Sequence, residues 1–417
     1  MPNIPKLHRV SRTWLVDGPL APYIPAYIAH FRNERYAPSY LSHQLSALAH
    51  FAHWQSMCEI PVHVLDEDVV KFFVRHHLPN CSCTGATCKS VVQVRAALNV
   101  LIQLLRERGI IAAPALPSGH IPEELERYDA YLKDARGITP STRRGVLRIT
   151  RRLLDALFAQ RPVVIGKLRP EDIRRFIADQ LEVRNTTSNA AALTSAIRSY
   201  LRYRASCGDS VTPLLACISS PAHWEQATLP RSLSDDEVDR LIKSFAKRSP
   251  SPHRGYAVVR LALDLGLRSI EINRLTIDDI DWGLGIITLK RTKSRRQDVL
   301  PLPVSTGEAL EAYVRHERPK TSNRALFVRH LPPFSQPLGV DGIRRVIRDA
   351  YRRSGIPHGR THALRHTLAR QMIDGGNSIK EIADVLRHRS LNTSRIYAKV
   401  NYDALYEVAL PWPGSSS

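Results

Sequence analysis

Four residues whose side chains could act together on a phosphodiester follow one another within residues 361–400. His362 and Arg365 are three residues apart, and His388 and Tyr397 come after them. A guanidinium and imidazoles can bind and polarise phosphate oxygens, and an activated phenol hydroxyl can attack phosphorus. A lone His–Arg pair at helical spacing is also common on protein surfaces. The pattern therefore indicates phosphodiester chemistry only if the rest of the chain supplies what a tyrosine nucleophile needs.

A second arginine that could bind the same phosphate precedes this segment. Arg268 follows a Gly-Leu dipeptide, and Glu271 stands three residues later, about one helical turn on. A carboxylate at that spacing can hold the guanidinium through a charge-assisted hydrogen bond. The alternative is an ordinary ion pair on a helix surface.

A cationic loop lies between these two segments of the chain. The β-rich stretches 285–290 and 299–302 predict two strands of a hairpin, joined by this loop. Such a tip suits a DNA groove, and a lysine in it could donate a proton to a leaving oxygen. A tip that is simply solvated is the alternative. The cations are Lys290, Arg291, Lys293, Arg295 and Arg296.

Apolar periodicity predicts that the elements holding these residues are mostly helices. We expect an N-terminal helical domain in residues 1–115, whose first part, over about residues 1–25, is an arm without helical period. A second helical unit in residues 116–225 repeats the same plan at low identity, which suggests a duplication. The Pro-containing stretch 219–232 reads as a linker. A third domain then covers residues 226–417.

One predicted helix of the second unit is crowded with arginine. Arginines at this density can contact the phosphates of a nucleic acid. A solvated basic face is the alternative. The residues are Arg143, Arg144, Arg148, Arg151 and Arg152.

Charge along the whole chain favours a polyanionic partner. Lysine and arginine outnumber aspartate and glutamate by 60 to 39, which leaves a net charge of +21 over 417 residues. Nucleic acid is the commonest partner of so basic a protein. No apolar run reaches the roughly 18 residues of a membrane span, and no signal-peptide core is evident. We therefore expect a cytoplasmic protein, associated with the nucleoid when bound to DNA, with six reduced cysteines and no membrane partner.

Taken together, four segments resemble one known family. LDLGLRSIEINRL, the TKSRRQDVLPLP hairpin, HALRHTLA and LRHRSLNTSRIYAKV occur in this order between about residues 234 and 400. In that combination they resemble the tyrosine recombinases, or phage integrases, which exchange DNA strands. More loosely, residues 122–225 resemble the family's core-binding domain. The resemblance implies a mainly α protein: helical (SAM-like) N-terminal DNA-binding domains and a mostly helical catalytic domain with a small antiparallel sheet.

The same resemblance assigns roles to individual residues. Glu271 occupies the acidic position that supports the first catalytic arginine, and His366 ends the family's HxLRH motif. Tyr397 matches the nucleophile, and its spacing from the second histidine favours it over Tyr402 and Tyr406. The implied catalytic set is Arg268, Lys293, His362, Arg365, His388 and Tyr397.

The implied reaction uses these side chains alone. Tyr397 attacks the scissile phosphate, which creates a 3′-phosphotyrosyl link and releases a 5′ hydroxyl. The resemblance implies no cofactor, double-stranded DNA with specific recombination sites as partner, and a homo-tetramer on DNA. Two alternatives remain open at this point. One is DNA relaxation of the type IB topoisomerase kind, and the other is a non-catalytic DNA-binding accessory protein with the same fold.

Two features depart from the family's pattern. Arg387 stands where the family usually has glycine before the second histidine, so an additional charge and an altered turn are expected there. Residues 1–115 have no counterpart in the shortest members. Long N-terminal units of this kind occur in recombinases of mobile elements, which favours transposon or plasmid biology.

A cluster of possible metal ligands lies in the N-terminal part. Cys81, Cys83 and Cys88, with His76 or His77, could bind zinc. Because Cys-x-Cys-x4-Cys is not a standard zinc spacing, the preferred interpretation is no metal and reduced structural thiols in a turn.

Overall fold

A computed structural model describes residues 7–387, apart from residues 86, 115–117, 160, 184–185, 220–230, 247–249, 291–296, 335 and 358 and the side chains at 187 and 188. Most of the predicted linker 219–232 lies outside these described residues. The described part forms two compact units. One comprises residues 112–225, and the other comprises residues 1–111 together with residues 226–417.

The N-terminal segment is a helical bundle around its own apolar core. Leu45, Phe51, Phe73 and Leu98 are fully buried in that core. The helices are α1 (Arg9–Val16), α2 (Ile24–Asn33), α3 (Pro38–Met57), α4 (Glu67–Phe72) and α5 (Val91–Glu107).

The expectation of an arm without helix over residues 1–25 is wrong. Residues 9–16 form α1, which packs against α3. Leu15 is buried, and the Trp14 ring stacks on His53 with ring centroids 4.2 Å apart. A helix of eight residues has too few turns to show a clear period, and so short a helix depends on tertiary packing for its stability.

Where described, residues 112–225 form a second bundle of five α-helices, whose long helices follow one another in the same order as those of the N-terminal bundle. Its core holds Tyr128 and Tyr200, and the Tyr200 hydroxyl donates to the buried Glu124 carboxylate over 2.8 Å. Its second helix begins at Pro140, as α3 begins at Pro38, because proline is tolerated in a first helical turn. The helices are α6 (His120–Ala130), α7 (Pro140–Phe158), α8 (Pro170–Val183), α9 (Thr187–Ser206) and α10 (Thr212–Ala216).

The C-terminal segment surrounds one buried helix, α12, which packs against four neighbouring helices. Val258, Val259 and Leu261 on α12 are fully buried. Capping boxes are present at Ser234, the residue before α11, and at Ser378, the residue before α17. The helices are α11 (Asp235–Lys243), α12 (Pro252–Asp264), α13 (Ser269–Arg274), α14 (Val304–His316), α15 (Val340–Ser354), α16 (Thr361–Asp374) and α17 (Ile379–Val385).

A three-stranded antiparallel sheet carries the predicted hairpin. Its strands are β1 (Ile280–Asp281), β2 (Ile286–Leu289) and β3 (Asp298–Pro301), in the order β1-β2-β3. Leu289 pairs with Asp298 at the end of the β2–β3 register, and residues 291–296 of the cationic loop lie outside the described residues. The mainly α fold with a small antiparallel sheet is confirmed. Among the described residues, no helix is long and apolar enough to cross a bilayer.

Candidate active site

Arg365 connects three chain segments of the C-terminal domain. It lies on α16 with only 5% of its surface exposed. Its Nη1 donates to the Gly266 carbonyl over 2.5 Å, and its Nη2 donates to the Leu386 carbonyl. The guanidinium thus joins α16 to the turn between α12 and α13 and to the end of α17. These hydrogen bonds fix its orientation and bring the two predicted halves of the site together.

The turn at Gly266 requires a residue without a Cβ. Its φ of +57° is a left-handed conformation that glycine adopts without strain. A Cβ built there would also lie 2.8 Å from a methyl carbon of Leu386 and 3.1 Å from one of Leu368. The absence of a side chain therefore allows the turn to lie against α16 and α17, where Arg365 reaches its carbonyl.

Arg268 and Glu271 form the predicted ion pair at the start of α13. The Arg268 Nη1 lies 2.7 Å from Glu271 Oε1, and the Arg268 backbone N–H donates to Oε2 over 2.9 Å. The Glu271 side chain is only 3% exposed, whereas that of Arg268 is 21% exposed. The pair is therefore not an ordinary surface ion pair, since a buried carboxylate holds a guanidinium that still reaches solvent.

Arg387, which stands where the family usually has glycine, places a further positive charge beside Glu271, as expected. Its backbone has a φ of +54°, so the chain keeps the left-handed turn after α17 although the residue is not glycine. Its Nη2 lies 3.3 Å from Glu271 Oε2, and its Nη1 donates to the Val385 carbonyl over 3.0 Å. Glu271 therefore bridges Arg268 and Arg387, which are more than 100 residues apart.

The pKa of Glu271 reflects this arrangement. Burial raises it, but the hydrogen bond from the Arg268 backbone and the charges of Arg387 and Arg268 outweigh burial. The pKa consequently lies below its usual range, and the carboxylate stays ionised at neutral pH. Burial in turn lowers the pKa of Arg387, which Glu271 partly counteracts.

The two histidines of α16 lie in different environments. His362 is exposed one turn before Arg365. His366 is largely buried, and its pKa is lowered to about 4 by burial first, then by the charges of His362 and Arg365. His366 is therefore neutral at pH 7, and its position among packed groups suits a structural role.

Three members of the implied catalytic set, Lys293, His388 and Tyr397, lie outside the described residues. His388 directly follows Arg387, and Lys293 belongs to the hairpin tip. The alternative tyrosines 402 and 406, and the loop cations 291, 295 and 296, also lie outside. The structure therefore brings together Arg268, Glu271 and Arg365, with His362 one turn away.

Some of the remaining basic residues form ion pairs, and others are exposed on the helix surface. The Lys290 ammonium lies 2.6 Å from Asp279 Oδ1, and hydrogen bonding to that carboxylate raises its pKa. On α7, Arg143 pairs with Asp129 over 2.7 Å. The other four arginines of α7 are exposed along the helix. They are Arg144, Arg148, Arg151 and Arg152.

Comparison with known proteins identifies the family of this chain. Residues 231–404 match the model of the phage integrase family. The y4rA protein of Sinorhizobium fredii, named as an integrase/recombinase, is 36% identical over 77% of this chain and 79% of its own. The y4rF protein of the same organism, with the same designation, is 31% identical over 97% of this chain and 94% of its own. The tyrosine recombinase XerD of Mycobacterium tuberculosis is 29% identical over 70% of this chain and 96% of its own.

A solved structure shares the fold. XerH site-specific recombinase, bound to a palindromic difH substrate in a post-cleavage complex, aligns with 82% of this chain and 94% of its own. The TM-score is 0.54 at 18% identity. The chain belongs to the phage integrase family. It is a tyrosine site-specific recombinase, an enzyme that breaks and rejoins DNA through a tyrosine intermediate.

Proposed function

We propose that Tyr397 is the nucleophile of this recombinase. Its hydroxyl oxygen bonds to the scissile phosphorus as the 5′ oxygen leaves, so one phosphodiester is exchanged for a 3′-phosphotyrosyl ester. His362 assists removal of the tyrosine proton, and Lys293 protonates the leaving 5′ oxygen. Attack by a second 5′ hydroxyl reverses the step and rejoins the strands, so the reaction needs no net input of energy.

Arg268 and Arg365, helped by His388, neutralise the charge that develops on the non-bridging phosphate oxygens. The observation that carries this proposal is the hydrogen bond from Arg365 to the Gly266 carbonyl, two residues before Arg268. Because buried groups orient both guanidiniums before DNA binds, little reorganisation is needed during the reaction. Glu271 acts as a positioning residue, since it touches Arg268 and Arg387 rather than the phosphate.

The proposed partner is double-stranded DNA with specific recombination sites. Exposed arginines of α7 and cations of the hairpin tip supply sequence-independent phosphate contacts. Because Lys290 is ion-paired with a carboxylate on the same domain, we propose Lys293 rather than Lys290 as the proton donor. Arg143, which pairs with Asp129, is expected to contribute less to DNA binding than its four exposed neighbours.

At the level of assembly, we propose a homo-tetramer on two DNA sites. The segment after Tyr397, residues 402–410, is the candidate for docking on a neighbouring subunit. We further propose three domains, residues 1–115, 116–225 and 226–417, the first two related by duplication. Cytoplasmic action on a mobile element is the setting we propose, since two relatives are named as integrases.

A nicked suicide substrate carrying the cognate site tests the nucleophile. Wild-type protein should accumulate a covalent protein–DNA adduct, and Tyr397→Phe should form none. Tyr402→Phe and Tyr406→Phe are matched controls that should keep the adduct. Arg268→Ala should slow adduct formation by about 100- to 1000-fold, as removal of one charge-stabilising donor does elsewhere.

An adduct that persists in Tyr397→Phe, or that disappears in Tyr402→Phe instead, would overturn the assignment. The adduct assay, together with a relaxation assay on supercoiled DNA, separates the two alternatives. Relaxation of supercoiled DNA without a cognate site would indicate topoisomerase-like activity, and absence of any adduct would indicate an accessory protein. Because the relatives are named as integrases or recombinases, the comparisons favour neither alternative.

A further inference from the structure

Two imidazoles and two thiols converge in the N-terminal bundle. His50 lies in the middle of α3 and is fully buried, and His77 ends the widened helical turn Phe73–His77 that follows α4. Cys81 and Cys83 lie in the segment after that turn. One ligand atom from each of the four residues lies within 4.8 Å of all the others.

Three of the six distances between these ligand atoms lie close to those of a tetrahedral metal site. Zinc binds nitrogen at about 2.0 Å and sulfur at about 2.3 Å, which places two nitrogens about 3.3 Å apart and a nitrogen and a sulfur about 3.5 Å apart. The Nε2 atoms of His50 and His77 are 3.3 Å apart. The Cys83 sulfur lies 3.6 Å from His77 Nε2, and the Cys81 sulfur lies 3.1 Å from His50 Nε2.

Hydrogen bonding alone explains this cluster poorly. His50 Nδ1 lies 3.0 Å from the Cys88 carbonyl, which only accepts, so Nδ1 carries the proton of the neutral ring. The Nε2 of His50 then has a single lone pair, yet both the Cys81 sulfur and His77 Nε2 approach it. A cation bound by all four atoms satisfies every one of these lone pairs at once.

Neighbouring groups already hold the ligands in orientation. The hydrogen bond from His50 Nδ1 to a backbone carbonyl selects the tautomer whose Nε2 faces the cluster. The Cys83 backbone N–H donates to the Cys81 sulfur over 3.4 Å, which suits a thiolate. The Phe73 ring stacks on His77 at 5.1 Å and meets the His50 ring edge-on at 5.3 Å.

We propose that His50, His77, Cys81 and Cys83 bind one zinc ion in the N-terminal bundle. All four positions are protein ligands, so the site is structural and has no open position for catalysis. The described residues from Cys81 to Ser90 form neither helix nor strand. The ion would hold this segment against α3. This inference stands independently of the recombination chemistry.

The ligand set differs from the one that the sequence suggested. The Cys88 thiol donates to Gln93 Oε1 over 3.2 Å. Cys88 contacts His50 through its backbone carbonyl instead. His76 packs against Phe72, with ring centroids 4.7 Å apart. His50 was missed because it lies 31 residues before Cys81, within an apolar helix where a histidine reads as a core residue.

Metal content of the full-length protein tests the proposal. Protein expressed with zinc and purified without chelator should contain about one zinc ion per chain by inductively coupled plasma mass spectrometry, as a single four-ligand site requires. Cys83→Ser and Cys81→Ser should each lose most of it. Cys88→Ser and Cys207→Ser, the latter at an exposed cysteine of the other compact unit, are matched controls that should retain it.

Cobalt substitution keeps the test valid if the cysteine variants fail to fold. Wild-type protein stripped of metal and titrated with Co²⁺ should show the strong visible absorption of a tetrahedral site and thiolate-to-cobalt charge transfer, saturating at about one ion per chain. Absence of both zinc and this spectrum would overturn the proposal. So would zinc that Cys88→Ser removes while Cys83→Ser leaves it in place.

Discussion

Arg387 occupies a left-handed position after a helix, where glycine is the common residue. A left-handed residue after a helix is commonly glycine, because an L side chain in that region is strained. Here the strained backbone is retained, and the side chain reaches the buried carboxylate of Glu271. The ion pair and the carbonyl contacts offset that strain, so the turn keeps its geometry without glycine.

Two substitutions at Arg387 separate the strain from the ion pair. Arg387→Ala and Arg387→Gly both remove the contact with Glu271, but only alanine keeps a Cβ at a φ of +54°. The glycine variant should therefore unfold with a free energy about 1 kcal/mol higher than the alanine variant. Urea unfolding of the two variants measures the difference. Equal stabilities would show that this turn is not held left-handed.

His366 should make the catalytic domain sensitive to mild acid. Its pKa is about 4 in the folded chain, against an ordinary value of 6.5, because it is buried near His362 and Arg365. Below pH 6.5 the unfolded chain takes up a proton that the folded chain does not, so stability falls as the pH falls towards 4.

The expected loss from this one histidine is about 2 kcal/mol between pH 7 and pH 5. Urea unfolding at both pH values measures it, and His366→Gln should lose correspondingly less than wild type over the same interval. An equal loss in both proteins would mean that His366 is not the group responsible. Glu271 adds a separate loss of stability at lower pH. Because its pKa is lowered in the folded chain, the stability that its carboxylate contributes is lost only as the pH falls below the ordinary value of 4.5.

At the scale of elements, α7 is the clearest candidate for contact with the DNA backbone. Arg144, Arg148 and Arg151 are exposed on it at spacings of three and four residues, so they share a face. Its opposite face is held in the core by Leu153 and Leu154. A rigid helix that presents several cations in a row suits phosphates, which are recognised without regard to sequence.

Replacing one arginine of this face should change the salt dependence of DNA binding. Arg148→Ala should weaken binding to cognate and unrelated DNA alike, and should reduce the slope of log K against log salt by about 0.9, the value for one phosphate contact. Fluorescence anisotropy over a salt series measures this. Arg174→Ala on α8, whose side chain pairs with Glu171 over 3.5 Å, is the control and should leave the slope unchanged. Equal effects of both changes would contradict a specific role for α7.

At the scale of the whole molecule, the proposed assembly depends on the segment beyond the nucleophile. A variant lacking residues 402–417 should still bind a single DNA site but should form few tetramers on two sites, because its docking segment is missing. Native mass spectrometry of the protein–DNA complexes measures the tetramer fraction. Full-length Tyr397→Phe, which should not cut DNA, is the control and should assemble normally. Full assembly of the truncated variant would place the subunit contact elsewhere.

Features that depend on neighbours along the chain could be predicted from the sequence. The helices indicated by apolar periodicity and the β-rich runs beside the cationic loop were predicted correctly, since each follows from residues a few positions apart. The order of the four motif segments was sufficient to indicate the family. The strand β1 and the short helix α1 were not predicted, because both are too short to show a period and depend on packing.

Contacts between residues far apart in the sequence became evident only from the folded chain. The bond from Arg365 to the Gly266 carbonyl joins residues 99 apart, and the bridge from Arg387 to Glu271 joins residues 116 apart. His50 reaches the Cys81 sulfur only because α3 packs beside the turn that follows α4. Such contacts depend on how helices pack and on where a missing Cβ lets the backbone approach, and local sequence patterns do not encode either.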